Sequence, residues 1–163
     1  MRLEAPGRVL SRSDAAAFAQ RLRDAGKTVV FTNGVFDLIH PGHVRYLREA
    51  RSLGDVLIVG VNADESVRRN KGEGRPVTRE DERAELVAAL ACVDAVTVFG
   101  EDTPAEIIRA IQPDVLVKGA DWAADQIVGR ETVEARGGKV VRIAVEEGHS
   151  TTALLDTIRA RKG

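Results

Sequence analysis

Apolar positions along the chain fall into two alternating patterns. Short, nearly unbroken apolar runs occur at Thr28–Phe31, Asp55–Val61, Ala95–Phe99, Val115–Lys118 and Lys139–Ile143. Runs of this kind predict strands covered by helices on both sheet faces. The segments between them carry apolar residues at helical spacing. Ser11-Arg12-Ser13-Asp14 is a capping box that opens a helix to about Ala25. From Pro41 a helix turns Val44, Leu47 and Ala50 inward and stops near Leu53, before Gly54. Asp64 to Arg69 reads as a short helix, and Lys71–Pro76 as a charged loop. Thr78-Arg79-Glu80-Asp81 caps a helix expected to bury Leu86, Val87 and Leu90. Thr103-Pro104-Ala105-Glu106 is a second capping box with proline at the first helical position, and its helix ends near Ile111. A weaker polar helix spans Asp125 to Arg136, and a last one starts near Ser150 and buries Leu154, Leu155 and Ile158. Five strands joined by helical crossovers imply an α/β fold: a doubly wound, Rossmann-like parallel five-stranded sheet with helices on both faces. The expected organisation is a single domain over 1–163, with its core at about 27–160 and an N-terminal helix at about 12–25.

Composition narrows the partners. A chain of 163 residues can bury a core without disulfide or metal support. Net charge is −1 and no basic block occurs, which argues against non-specific nucleic-acid binding. Cys92 is the only cysteine, so no intramolecular disulfide forms, and it reads as a small core residue. Met1–Pro6 has no apolar stretch after its charge, and no run approaches a membrane span. A cytoplasmic protein with no membrane partner is expected.

The chemistry concentrates in Phe31-Thr32-Asn33-Gly34-Val35-Phe36-Asp37-Leu38-Ile39-His40-Pro41-Gly42-His43. A strand runs into a turn, and a helix begins at the His-x-Gly-His step. Imidazoles three residues apart share one helix face. They lie beside the unpaired N–H groups of the first turn, where the helix dipole favours anions such as a polyphosphate. Gly42 leaves room for a phosphate, and Pro41 suits the first turn. The plainer reading makes both histidines helix-cap residues. Two other segments pair a plain reading with a ligand-binding one. Ser150-Thr151-Thr152 is an N-cap or a second phosphate site. Lys71 and Arg75 are solvated charges or a basic loop around Gly72 and Gly74. Neither the dinucleotide glycine fingerprint nor the G-x-x-x-x-G-K-[ST] phosphate loop is present.

These strings resemble the nucleotidyltransferase superfamily that contains the cytidylyltransferases, with Thr32–Asp37 the more specific part. The resemblance covers roughly residues 27 to 160. It implies catalytic roles for His40, His43 and Lys71. It implies nucleotide contacts from Phe31, Thr32, Asn33, Gly42, Lys118, Ser150, Thr151 and Thr152, the first three through the backbone. Asp102-Thr103-Pro104 and Val115–Trp122 narrow the likeness to the adenylyltransferases that make ADP-heptose from heptose 1-phosphate and ATP, in their stand-alone form without a sugar kinase. Asp37, Arg75, Asp121 and Trp122 are then candidate substrate contacts, with Trp122 equally suited to a lid or a dimer contact. Arg83 matches a family arginine, although a surface ion pair explains it nearly as well.

The resemblance further implies Mg²⁺ carried on the ATP phosphates, with no metal ligand set assigned, and a homodimer. Ala120 replaces a common glycine. His149 stands where an apolar or small residue is usual and is expected at the rim without a catalytic role. Ala144–Glu147 does not match the arginine-bearing motif of CTP-using relatives, which favours ATP. The rival readings are a cytidylyltransferase acting on glycerol 3-phosphate or a similar monoester, and a non-catalytic nucleotide sensor.

Overall fold

The computed structural model describes residues 7–145 and 148–162. Six strands form one fully parallel sheet: β1 (Arg8–Leu10), β2 (Val29–Gly34), β3 (Val56–Asn62), β4 (Ala95–Phe99), β5 (Val115–Gly119) and β6 (Lys139–Ile143). Their order is β1-β4-β3-β2-β5-β6. The expected five strands are present, and β1 is the addition. Three residues long, it pairs with β4 at the sheet edge, Val9 opposite Val96.

The helices are α1 (Arg12–Asp24), α2 (Pro41–Arg51), α3 (Asp64–Lys71), α4 (Glu80–Ala88), α5 (Ala105–Ile111), α6 (Arg130–Glu134) and α7 (Thr151–Ala160). Ser11 caps α1, its Oγ accepting from Asp14 N at 3.1 Å. The second capping box does not form: Pro104 is itself the N-cap of α5 and makes no side-chain cap bond. The polar stretch after β5 splits into a 3₁₀ turn at Ala124–Gln126 and the short α6, with Gly129 at φ 90° between them.

Alternation along the strands builds two apolar layers. Val30, Leu57, Val59, Val96 and Val117 face α2 and α4, where Leu47, Ala50, Ala84 and Val87 cover them. Val29, Phe31, Ile58, Ala95, Phe99 and Leu116 face Ala15 and Ala19 of α1 and Ile107, Ile108 and Ile111 of α5. Gly60 lies between two large rings: a Cβ there would stand 2.8 Å from Phe31 Cζ and 3.2 Å from Phe99 Cε1.

Two expectations about buried residues fail. In α4 Val87 is buried and Leu90 packs on the core as expected, but Leu86 is 50% exposed and Arg83 is fully buried beside Ala84. In α7 no residue is buried, and Leu154 and Ile158 are exposed. Among the described residues no helix is long and apolar enough to cross a membrane.

Candidate functional site

The sheet opens at one place. From β2 the chain proceeds outward through β3 to β4, then crosses back to β5 on the other side of β2. This reversal makes the β2–β5 boundary the topological switch point, where such sheets bind ligands. The β2–β3 register runs to Gly34 and Val61, whereas the β2–β5 register stops at Phe31 and Leu116. Beyond that point side chains bridge the widening gap. Thr32 Oγ1 donates to the Val117 carbonyl at 2.9 Å and lies 2.9 Å from the Tyr46 hydroxyl. With the Thr32 proton used on Val117, Tyr46 is the donor. One residue further, Lys118 Nζ donates to Asn33 Oδ1 at 2.6 Å.

Above this floor lies a cavity of about 760 Å³. Asn33, His40, Gly42, His43, Lys71, Lys118, Asp121, Trp122 and Ser150–Thr152 all line it. Phe31 and Thr32, from which contacts were expected, are not among its lining residues. Phe31 pairs with Ile58 on one side and Leu116 on the other, so the sheet occupies its backbone, and Thr32 is fully buried.

His40 is the N-cap of α2, and its N–H points to His43 Nδ1 at 3.4 Å. The two rings stack with centroids 3.7 Å apart. Phe36, at φ 52°, packs against His43 from the other side, centroids 5.3 Å apart. Burial, with His40 adding to it and hydrogen bonding to the Leu38 backbone opposing, holds the His43 pKa down at about 4. His40 is also lowered, by burial and then by His149. Both imidazoles are therefore neutral at pH 7. The neutral His43 ring is thus held between the His40 N–H, which points to its Nδ1, and the Leu38 backbone, to which it also hydrogen-bonds.

Gly42 is required sterically, and for a different neighbour than expected. A Cβ there would lie 2.9 Å from His40 Cε1 and 2.9 Å from His149 Cβ. The His40 ring needs the space that the sequence assigned to a phosphate.

Ser150 caps α7, its Oγ accepting from Ala153 N at 3.0 Å. That bond leaves the hydroxyl proton free to donate. Two helix N-termini, those of α2 and α7, thus meet at one cavity. In the same cavity burial pulls the Lys118 amine down to about 8, with Asp121 opposing. The Trp122 ring, half exposed, lies with its centroid 5.8 Å from Lys118 Nζ. A phosphate entering here meets neutral donors, two helix N-termini and a buried amine.

The cytidylyltransferase-like family profile matches residues 31–156, a span that starts in β2, ends in α7 and contains every segment of this cavity. The chain belongs to the cytidylyltransferase-like family. It is a nucleotidyltransferase. It is 55% identical over 138 residues to the bifunctional protein HldE of Citrifermentans bemidjiense, covering 85% of this chain and 28% of that protein. With HldE of Acidiphilium cryptum it shares 52% identity over 153 residues, 94% of this chain and 32% of the relative. The chain thus spans only about a third or less of the length of these relatives. Among solved structures, the lipopolysaccharide core biosynthesis protein from Thermoplasma volcanium GSS1 superposes with a TM-score of 0.65 at 33% identity. That match covers 75% of this chain and all of the other.

Two expected site residues, Asp37 and Arg75, are bonded to each other and to the loop after α3, and a third, Lys71, sits on a helix end. Asp37, almost fully buried, accepts from Val77 N at 2.9 and 3.0 Å, from Thr78 N at 2.9 Å and from Arg75 Nε at 3.1 Å. Its carboxylate and Arg75 hold the loop after α3 in place, and both residues also line the cavity, where substrate contacts were expected of them. Lys71 is the last residue of α3, not part of the loop; Gly72 ends the helix at φ 87°. Its side chain is exposed at the cavity mouth with no hydrogen-bond partner among the described residues.

Arg83 is no surface residue. It donates to the Thr78 carbonyl at 2.8 Å, the Val35 carbonyl at 2.6 Å and Asp64 Oδ1 at 2.7 Å. The Thr78 residue is thereby gripped at its N–H by Asp37 and at its carbonyl by Arg83.

Tyr46 was not anticipated. Burial, partly countered by the Thr32 bond, pushes its hydroxyl up to about 12, so it stays a neutral donor. Its position three residues after His43, on the same helix face, was the available signal. Glu146 and Glu147, part of the stretch contrasted with CTP-using relatives, lie outside the described residues.

Proposed function

We propose that this nucleotidyltransferase is an adenylyltransferase that moves AMP from ATP to a sugar 1-phosphate, with heptose 1-phosphate the first acceptor to test. The observation that carries the reading is Lys118 held by Asn33 at the switch point, in one cavity with the paired imidazoles and the start of α7. It supplies two separated sets of phosphate donors, one for a nucleotide and one for a phosphorylated acceptor. The likeness of this chain to proteins named HldE, and to one named for lipopolysaccharide core biosynthesis, supports a sugar phosphate on the second set.

An acceptor phosphate oxygen attacks the α-phosphorus of ATP. The bond from that phosphorus to the β-bridging oxygen breaks, and pyrophosphate leaves with the electron pair. A phosphate monoester is already anionic, so no general base is needed, and alignment with charge stabilisation supplies the rate. The His43 and His40 rings, both on the cavity wall, donate to oxygens on which charge builds. Ser150, Thr151 and Thr152 at the α7 N-terminus hold the outer phosphates, and Lys71 covers them from the cavity mouth. Lys118 faces the acceptor side. Mg²⁺ enters as part of the MgATP substrate, because the Asp37 carboxylate is committed to Arg75, Val77 and Thr78. No cluster of three His, Cys, Asp or Glu among the described residues is arranged to hold a metal.

Pyrophosphate release on mixing the chain with MgATP and heptose 1-phosphate, with MgCTP and glycerol 3-phosphate in parallel, tests the reading. Release only in the CTP arm would move the protein to cytidylyl transfer. Nucleotide binding with no release in any arm would make it a sensor.

A further inference from the structure

We propose that His149 is a third imidazole of the polyphosphate site, donating a hydrogen bond to the β,γ-phosphates of the bound nucleotide. The proposal rests on the nucleotidyl-transfer reading above. Nothing in the sequence recommended this residue. The structure supplies three observations that do.

The first is alignment. The His149 ring is nearly parallel to that of His40, 20° between planes, with centroids 6.3 Å apart. His40 in turn stacks on His43, and His43 packs on Phe36. The aromatic row Phe36–His43–His40–His149 therefore runs along the cavity from the β2 side to the start of α7, and all four residues line it. His149 is the outermost ring, furthest from the strand ends.

The second is packing. His149 Cβ and His40 Cε1 crowd the same point beside Gly42, each 2.9 Å from where a Cβ would be. The segment before α7 is thus seated against the first turn of α2. His149 occupies the seam between the two helix N-termini.

The third is sequence position. His149 immediately precedes Ser150, whose hydroxyl proton is free to donate once its oxygen caps Ala153 N. His149, Ser150 and the first turn of α7 thus line the same cavity. An inner pair of imidazoles suits the α-phosphate, where bonds change, and the outer one suits the phosphates that leave. A donor to phosphates already charged in the ground state favours binding more than chemistry, and its loss acts mainly on KM.

The experiment uses the full chain as wild type and as His149→Ala, His149→Gln and His149→Phe. His149→Phe keeps a ring against Gly42 and His40 but has no donor. His149→Gln keeps a donor without the ring. Two quantities are read: KM for MgATP from pyrophosphate release, and the dissociation constant of pyrophosphate alone by calorimetric titration. A hydrogen bond to a charged group predicts a loss of roughly tenfold in both for His149→Phe and His149→Ala. His149→Gln stays within about threefold of wild type, and kcat and the acceptor KM hardly move. Wild-type KM and pyrophosphate affinity in a folded His149→Phe protein would overturn the proposal, because packing alone would then explain the residue. So would a wild-type chain that does not bind pyrophosphate. If wild type releases no pyrophosphate with any acceptor, the transfer reading has failed, and the titration still decides the role of His149.

Discussion

At the scale of single residues, burial has converted ordinary side chains into neutral donors and one weakened cation. His43, held near 4, cannot act as an acid at pH 7 and contributes through its N–H. His43→Ala should therefore lower turnover by roughly 10²–10³, the scale of removing one donor at developing charge, with little change in ATP affinity. Unchanged pyrophosphate release from the folded variant would remove His43 from the chemistry. The same burial has a stability signature. Between about pH 4 and 6.5 the unfolded chain binds a proton at this position that the folded chain refuses. Stability should thus fall as pH drops through that window. Urea titrations at pH 7, 5.5 and 4.5 should show a shallower loss for His43→Gln than for wild type; parallel losses would contradict the assignment. Lys118 behaves in the opposite pH range. With its amine near 8, kcat/KM should decline as pH rises through about 8, because the free enzyme loses the charge that meets a phosphate. In Lys118→Met the rate should be lower and that alkaline limb absent.

At the scale of elements, a buried arginine and a buried carboxylate brace the site from below. Arg83 joins the turn after β2, the start of α3 and the approach to α4; Asp37 pins the same approach from the other side. Truncating Arg83 leaves the Val35 and Thr78 carbonyls and Asp64 without their donor, so Arg83→Met should cost about 3–5 kcal/mol by chemical denaturation. Arg83→Lys should not restore it, since one ammonium cannot span three acceptors in fork geometry. The brace also divides the loop. The Val77 and Thr78 amides, bonded to Asp37, should exchange slowly, while 72–74, where a Cβ on Gly72 or Gly74 would meet nothing, exchange quickly until nucleotide binds. Equal protection across 72–78 would show one uniform loop. These connections explain what the sequence concealed. Helical spacing placed Leu86 inward with Val87, but only Val87 reaches the apolar layer, while Arg83 is buried against the Val35 and Thr78 carbonyls. Strands β4 and β6 were legible to the residue: β4 lies between Asp94 and Gly100, and β6 starts directly after Gly138. β1 was not, because three residues carry no period and its pairing partner lies 87 positions away. α7 misled for a related reason: Leu154 and Ile158 have helical spacing, yet only the first turn of the helix reaches the cavity.

At the scale of the molecule, the chain order decides where phosphates go. The crossover from β4 back to β5 separates the strands that end at Asn33 and Lys118, and the helix following β2 presents its N-terminus there. The helix that follows β6 brings a second N-terminus to the same cavity. Histidine spacing and the Ser-Thr-Thr string were readable as separate anion sites. Their meeting was not, since it depends on Gly42 seating against His149 across more than a hundred residues of chain. Every group assigned a role in transfer comes from residues 33 to 152, and the profile match of the family spans the same region. The relatives named HldE are about three times longer, but none of that additional length is needed to build this cavity. The 163-residue chain should therefore release pyrophosphate from MgATP in the presence of heptose 1-phosphate without any added protein. In an equimolar mixture of MgATP and MgCTP, ADP-sugar should form in excess over CDP-sugar. Both products are distinguished by mass in one reaction, so a single measurement reads competence and base choice. Turnover only after addition of the remaining portion of an HldE protein would show that the site is completed in trans. Excess CDP-sugar would show that the base is read by groups other than those that set this chain apart from CTP-using relatives.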